Sequence, residues 1–230
     1  CGGMTGADVF GVVPDIMNVA KQLTNGAVPM GAVVASSEIY QTFMGQGGPE
    51  YMLEFPHGYT YSAHPVACAA GLAALDILEN EKLPDRVAEM APYFEEVLHQ
   101  LRGAPHVSDI RNFGFAGALQ LSPYPGEPAR RPWEVAMRMW EKGFYVRYGG
   151  DTIQLGLPFV IEKEQIDSLA SALGDSLRRG AAIPGDAGLD HLTTQPRRWR
   201  SLLRKLAGSL PGHALLVWSA ERYADCKGPL

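Results

Sequence analysis

A lysine at the end of an apolar run is the first residue of this sequence whose position suggests chemistry. Lys21 directly follows Ile16–Ala20 and precedes a polar turn at residues 22–26. Where such a strand leaves a buried core, loss of water favours the uncharged amine, which attacks carbonyl carbons. A lysine after a strand is more often a solvated loop residue. Lys21 alone therefore leaves both interpretations open.

A second group of polar side chains precedes a predicted helix. Thr60, Ser62 and His64 lie just before Pro65, a residue typical of the first turn of a helix. Unpaired amides at a helix start favour negative charge, so a hydroxyl there suits an anion. The same side chains could instead only cap the helix. His57 and His64 are predicted to be hydrogen-bonded loop residues, because no carboxylates accompany them in a metal-ligand pattern.

The third feature is a guanidinium between two aromatic rings. Arg147 lies between Tyr145 and Tyr148, and a Gly-Gly turn follows. A guanidinium in such a place can bind a carboxylate through two parallel hydrogen bonds. The alternative is a structural arginine that forms an ion pair with Asp151.

The elements that must position these residues alternate between short strands and helices. Apolar runs bounded by turn residues predict strands over Ile16–Ala20, Ala32–Ala35, Val107–Ile110, Ala116–Leu121, Phe144–Arg147 and Thr152–Leu155, the first two of them buried. Helical spacing predicts helices over Pro65–Leu78, Arg86–Arg102, Pro132–Lys142 and Lys163–Leu177. The apolar face of the last helix consists of Ile166, Leu169, Ala170, Leu173 and Leu177. The alternation predicts an α/β layer followed by a smaller α+β portion.

Three segments resemble the class III aminotransferase family. Residues 14–32 follow the pattern of its cofactor lysine: Pro-Asp, an apolar strand, Lys21, a small-residue turn and Pro-x-Gly-Ala. Residues 57–70 are similar to the family segment HG-x-T-Y-S-x-HP-x-A. Residues 144–152 are similar to the V-R-x-G-G-D-T stretch of its omega-amino acid:pyruvate branch. The glycines and prolines of the first segment shape the turn that presents the amine.

The resemblance implies a fold and a role for each residue. It implies the carboxyl-terminal part of a fold type I transferase that depends on pyridoxal phosphate (PLP). Lys21 would form the Schiff base with PLP and move the proton during the reaction. Thr60 would bind the cofactor phosphate from the neighbouring subunit of a homodimer, and Arg147 would bind the substrate carboxylate.

The same resemblance implies an omega-amino acid such as beta-alanine as amine donor and pyruvate, or another short keto acid, as acceptor. Two alternatives stay open. One is a non-catalytic interaction protein that keeps the dimerising surface, and the other is a different PLP Schiff-base enzyme, such as an aminomutase or a decarboxylase.

The resemblance covers residues 8–178 and divides the chain into three parts. Residues 1–80 would end the large cofactor-binding domain, residues 81–178 would form the small carboxyl-terminal α+β domain, and residues 179–230 would be a basic extension. The family's phosphate-binding Gly-Ser turn, stacking aromatic and pyridine-binding Asp are not identifiable here. The chain is therefore expected to begin inside a longer protein and to have little activity alone.

The extension differs from the rest in composition. Residues 179–230 carry eight Lys and Arg against four Asp and Glu, whereas the whole chain has a net charge of -5. A disordered or foreign extension, which a reading-frame change would produce, is the main interpretation. A basic amphipathic helix around Trp199 and Leu206 is the alternative.

Composition excludes several classes of protein. The acidic net charge, with a pI near 5.7, gives no reason to expect a nucleic-acid partner. No run of about 18 apolar residues exists, so no transmembrane segment is predicted. The amino terminus has no secretory pattern, and three scattered cysteines indicate reduced thiols in a cytoplasmic protein.

Overall fold

A computed structural model describes residues 1–51 and 58–180 of the chain. The helices are α1 Gly6–Phe10, α2 Ser37–Gln46, α3 Pro65–Asn80, α4 Leu83–His99, α5 Arg130–Glu141 and α6 Lys163–Gly180. The strands are β1 Ile16–Ala20, β2 Gly31–Ala35, β3 Val107–Phe113, β4 Ala116–Leu121, β5 Arg147–Gly149 and β6 Thr152–Gly156. A single turn of 3-10 helix, Lys21–Thr24, follows β1 directly. The extension beyond α6 and His57 lie outside the described residues.

The strands form two antiparallel sheets. Strands β1 and β2 pair with each other, with Asn18 opposite Val33. The other four strands form a sheet in the order β3-β4-β6-β5. In the second sheet Leu119, Ile153 and Leu155 are buried and alternate with more exposed neighbours. One face of this sheet is therefore covered, as alternation in an antiparallel sheet indicates.

Helices α4, α5 and α6 build the hydrophobic core with the larger sheet. The core cluster draws its buried residues from positions 87–177 only. At Gly117 of β4 a Cβ atom would lie 2.9 Å from side-chain atoms of both Leu98 and Phe94, so a glycine lets α4 approach the sheet. The predicted apolar face of α6 is confirmed, since Ile166 and Leu173 are almost completely buried.

Helix α3 links the small sheet to this core. It begins at Pro65, as predicted, and buries a stripe of Ala67, Gly71, Ala74 and Leu78. These positions recur at the spacing of one helix face. Helix α3 contacts both the 3-10 turn and α4, and Gly71 of the stripe lies against Leu23 of that turn. Helix α3 therefore joins the lysine-bearing turn to the larger sheet and its helices.

The structure corrects the prediction that the first two strands are buried. The bounds of β1 are as predicted, but Val33 and Val34 of β2 are 63% and 51% exposed. Apolar runs predict burial only where another layer covers them. In β1 only Met17 and Val19 are half-buried, and every residue of β2 is exposed, so among the described residues no layer buries this hairpin.

Two helices were not predicted, and one strand is shifted. Helices α1 and α2 begin at Thr5 and Ser36 caps, and both are short. Strand β5 begins at Arg147 and not at Phe144, because the Phe144 amide donates to the carbonyl of Met139 at the end of α5. An amide engaged by a helix end is not available to a sheet.

No helix in the two described ranges has the combination of length and apolar character that a bilayer span needs.

Candidate functional site

Lys21 lies where β1 passes into the 3-10 turn. Its backbone has a φ of +57°, a left-handed conformation that non-glycine residues seldom adopt. The side chain is exposed, and its amine makes no hydrogen bond or ion pair with any described residue. The predicted desolvation of this amine is thus not supplied by residues 1–51 and 58–180. The amine itself is available for a covalent bond.

The turn that carries Lys21 is packed against α3. The Gly26 amide donates to the Lys21 carbonyl over 3.2 Å, and the Asn25 amide donates to the Gln22 carbonyl over 3.1 Å. A Cβ atom on Gly71 of α3 would lie 3.6 Å from the carbonyl oxygen of Leu23 in this turn and 3.3 Å from the Met30 sulfur. The small residue therefore lets the turn sit close to the helix.

Thr60 lies in the turn before α3 with its side chain exposed. The cap residue of α3 is His64, which makes no side-chain capping hydrogen bond. Instead the Cys68 amide donates to the His64 carbonyl, and the Ser62 amide donates to the Tyr59 carbonyl. The alternative that these side chains cap the helix is therefore wrong. The Thr60 hydroxyl makes no hydrogen bond within the described part of the chain.

Arg147 begins β5, which is the edge strand of the larger sheet. It lies opposite Gln154 of β6 and is exposed. It forms no ion pair with Asp151 or with any other residue in 1–51 and 58–180. The alternative of a structural ion pair with Asp151 is therefore wrong. The guanidinium is available to a carboxylate from outside the chain.

The Asp151 carboxylate has other partners. It accepts hydrogen bonds from the Gln120 amide at 3.0 Å and from the Thr152 hydroxyl at 2.9 Å. The hydrogen bonds from Thr152 and Gln120 hold the pKa of Asp151 below its ordinary value. The Asp151 carbonyl also accepts from the Leu121 amide over 2.8 Å. This arrangement anchors the hairpin of Arg147 to β4.

Replacing Asp151 by Asn should make the free energy of unfolding depend less steeply on pH in the acid range. Because the folded pKa of Asp151 is lowered, its contribution to the free energy of unfolding is complete above the unfolded pKa of about 3.9. That contribution is lost as the pH falls through the lower folded pKa. Urea unfolding at a series of pH values between about 5 and 2 measures the slope.

In D151N this acid-side slope should be smaller than in the unsubstituted chain, and Gln120→Met should reduce it in part, because Gln120 donates one of the two side-chain hydrogen bonds. Equal slopes in D151N and the unsubstituted chain would contradict the assignment.

The three predicted residues lie on separate elements. No hydrogen bond or ion pair joins any two of Lys21, Thr60 and Arg147 in the described ranges. Within the same ranges no three His, Cys, Asp or Glu side chains come together as metal ligands. Two residues that support the site were not predicted from the sequence: Gln120, which donates to Asp151, and Thr24, which donates to Val28 behind the Lys21 turn. The only signal for Gln120 was a polar side chain within a predicted strand.

Comparison with known proteins identifies the family. The sequence model of class-III aminotransferases matches residues 1–177. The chain is 61% identical over 176 residues to beta-alanine–pyruvate aminotransferase of Pseudomonas aeruginosa, covering 76% of this chain and 39% of that protein. It is 60% identical over 178 residues to omega-amino acid–pyruvate aminotransferase of Pseudomonas putida, covering 77% of this chain and 40% of that protein.

Solved structures show the same relationship. An amine transaminase from an uncultivated Pseudomonas species, solved in its PLP-bound form, superposes with a TM-score of 0.71 at 35% identity, covering 77% of this chain and 41% of that chain. A PMP-bound aminotransferase from Vibrio fluvialis has a TM-score of 0.69 at 30% identity, covering 79% and 41%. This chain spans about two fifths of the length of the relatives it matches.

The predicted α/β fold of a PLP-dependent transferase is therefore confirmed, as is the predicted resemblance. The residues present also fit the cofactor by their chemistry, since a primary amine can bond to an aldehyde and a hydroxyl can donate to a phosphate. The chain belongs to the class III aminotransferase family, whose cofactor is pyridoxal phosphate.

Proposed function

We propose that this chain supplies the cofactor lysine and the carboxylate-binding arginine of a transaminase. The enzyme would move an amino group from an omega-amino acid such as beta-alanine to pyruvate. One observation carries the proposal: the Lys21 amine is presented by a left-handed turn at a strand end and is not engaged by any described residue. The names of the two Pseudomonas relatives, at 61% and 60% identity, support the substrates.

Lys21 would hold the cofactor and move a proton. Its Nζ would hold PLP covalently through the aldehyde carbon of the cofactor. The same Nζ, when it is not bonded to the cofactor, would take the proton from the substrate carbon that carries the amino group. Bound PLP supplies the electron sink for this step. The exposed position of Lys21 in this chain leaves room for both cofactor and substrate.

Arg147 and Thr60 would bind the two anionic groups. The Arg147 guanidinium donates two parallel hydrogen bonds to the carboxylate of pyruvate. The Thr60 hydroxyl would donate to the cofactor phosphate of the neighbouring subunit in a homodimer. The side chains of Tyr59 and Tyr61, beside Thr60, are exposed, and exposed aromatic side chains support an interface with another subunit at this place.

The division of the chain and its location belong to the same proposal. Residues 1–80 would join the large cofactor-binding domain and residues 81–178 the small domain. The confinement of the core cluster to positions 87–177 supports this division. We assign the protein to the cytoplasm, and the free thiols of Cys1 and Cys68 support the assignment.

Transfer of labelled nitrogen tests the proposal. The purified chain is incubated with PLP, pyruvate and ¹⁵N-labelled beta-alanine, and the expected product is ¹⁵N-alanine, measured by mass spectrometry. A second sample adds a polypeptide for the part of a relative that this chain does not match. If neither sample forms ¹⁵N-alanine, the proposal is wrong and a non-catalytic interaction protein is favoured. A repeat with ¹³C-labelled pyruvate separates an aminomutase, which would make ¹⁵N-alanine from beta-alanine alone and so without ¹³C.

A further inference from the structure

We infer that Thr24 is a positioning residue that holds Lys21 in its left-handed backbone conformation. The inference rests on the proposed role of Lys21. At a φ of +57° the Cβ atom of an L-residue approaches a carbonyl oxygen, which costs free energy. Such a conformation persists only where surrounding contacts determine it. Those contacts come from the turn and from its packing against α3.

Thr24 is the last residue of the same 3-10 turn that Lys21 begins. It is 3% exposed, and within residues 1–51 and 58–66 it is the one buried residue. Its hydroxyl donates to the Val28 carbonyl over 2.5 Å. Its own carbonyl accepts from the Ala27 amide over 3.0 Å. Thr24 thus ties the turn to the segment that leads into β2.

The turn leaves Lys21 little freedom once Thr24 is fixed. The Lys21 carbonyl is held by the Gly26 amide, two residues beyond Thr24. Leu23 lies between Lys21 and Thr24 in the chain, and its carbonyl oxygen lies 3.6 Å from the position that a Cβ atom on Gly71 of α3 would take. If Lys21 rotated to a right-handed conformation, Leu23 and Thr24 would have to leave α3. The Lys21 carbonyl would also turn away from the Gly26 amide, which lies inside the loop that the Thr24–Val28 hydrogen bond closes.

A buried hydroxyl in this place is not replaceable by its apolar isostere. Thr24→Val keeps the shape but leaves the Val28 carbonyl without the donor that it has in the turn. The variant therefore removes the hydrogen bond that closes residues 24–28 into a loop. Thr24→Ser keeps the donor and loses only a methyl group. The pair of variants therefore separates the hydrogen bond from packing.

Two measurements on the full chain test the inference. The first is hydrogen exchange of the Gly26 amide by NMR. The second is the rate at which PLP is captured at Lys21, with borohydride reducing the carbon–nitrogen double bond to a stable amine that peptide mass spectrometry locates. Thr24→Val should speed Gly26 exchange and slow capture at Lys21, each by about tenfold, whereas Thr24→Ser should change each by less than about twofold.

Thr42→Val is the matched control. Thr42 is exposed on α2, and its hydroxyl also donates to a carbonyl four residues away, that of Glu38 at 2.9 Å. This variant should change neither measurement. Exchange of the Leu98 amide in α4 should stay unchanged in every variant, which would show that the effect is local.

The inference is overturned if Gly26 exchange in Thr24→Val stays at the unsubstituted rate, or if Thr24→Ser is as impaired as Thr24→Val. Failure of the proposed function looks different. Capture at Lys21 would then be no faster than at Lys82 in the unsubstituted chain, while Gly26 exchange would still decide the role of Thr24.

Discussion

Lys21→Arg is expected to abolish covalent capture of pyridoxal phosphate, lowering the label trapped at residue 21 by at least about 100-fold. Arginine keeps the positive charge and nearly the length of lysine. Its guanidinium stays protonated, however, and does not attack an aldehyde. The loss is large because the change removes the nucleophile and leaves the turn in place. Borohydride trapping followed by peptide mass spectrometry measures it.

Lys82 offers a close control for this experiment. It is also exposed and also left-handed, with a φ of +49°, but it lies between α3 and α4 and has no Thr24 beside it. Lys82→Arg should leave the capture at Lys21 unchanged. The quantity to compare is the total amount of PLP trapped on the whole chain. If Lys21→Arg and Lys82→Arg lower this total equally, the cofactor reacts with lysines at random and Lys21 has no special role.

Replacing Arg147 by Gln should raise the KM for pyruvate about 30-fold, because the loss of a bidentate, charge-assisted pair at an exposed site costs about 2 kcal/mol. The KM of Arg147→Lys should lie between those of the unsubstituted enzyme and Arg147→Gln, since an ammonium group cannot make two parallel hydrogen bonds. The measurement is the pyruvate dependence of alanine formation in the sample that forms ¹⁵N-alanine. The kcat should change less than the KM, because the contact acts mainly in binding.

Two controls separate binding at Arg147 from a general loss of activity. Propylamine has no carboxylate for Arg147 to bind, so its rate as donor at saturating pyruvate should change little in the Gln variant. Arg178→Gln removes another exposed arginine, which pairs with Asp175 on α6, and should leave the KM unchanged. Equal KM values for pyruvate in Arg147→Gln and the unsubstituted enzyme would remove Arg147 from the site.

The corrections share a cause. The hairpin β1–β2 was predicted to be buried from its apolar composition, yet composition cannot say whether another layer lies above a strand. The ion pair between Arg147 and Asp151 was suggested by their closeness in sequence. In the structure Asp151 turns to Gln120, which is 31 residues away along the chain. A hydrogen-bond partner so far away in the sequence cannot be predicted from a local sequence pattern.

The sequence alone determined those features of the structure that depend on residues close together in the chain. Period and capping defined β1, the start of α3 at Pro65 and the buried face of α6, because these depend on residues a few positions apart. The pattern around Lys21 also indicated the family. Only the tertiary structure decided the left-handed backbone of Lys21, the burial of Thr24 and the available guanidinium of Arg147. Each of these depends on which distant elements pack together, and the packing of α3 against the lysine turn is not encoded in any single segment.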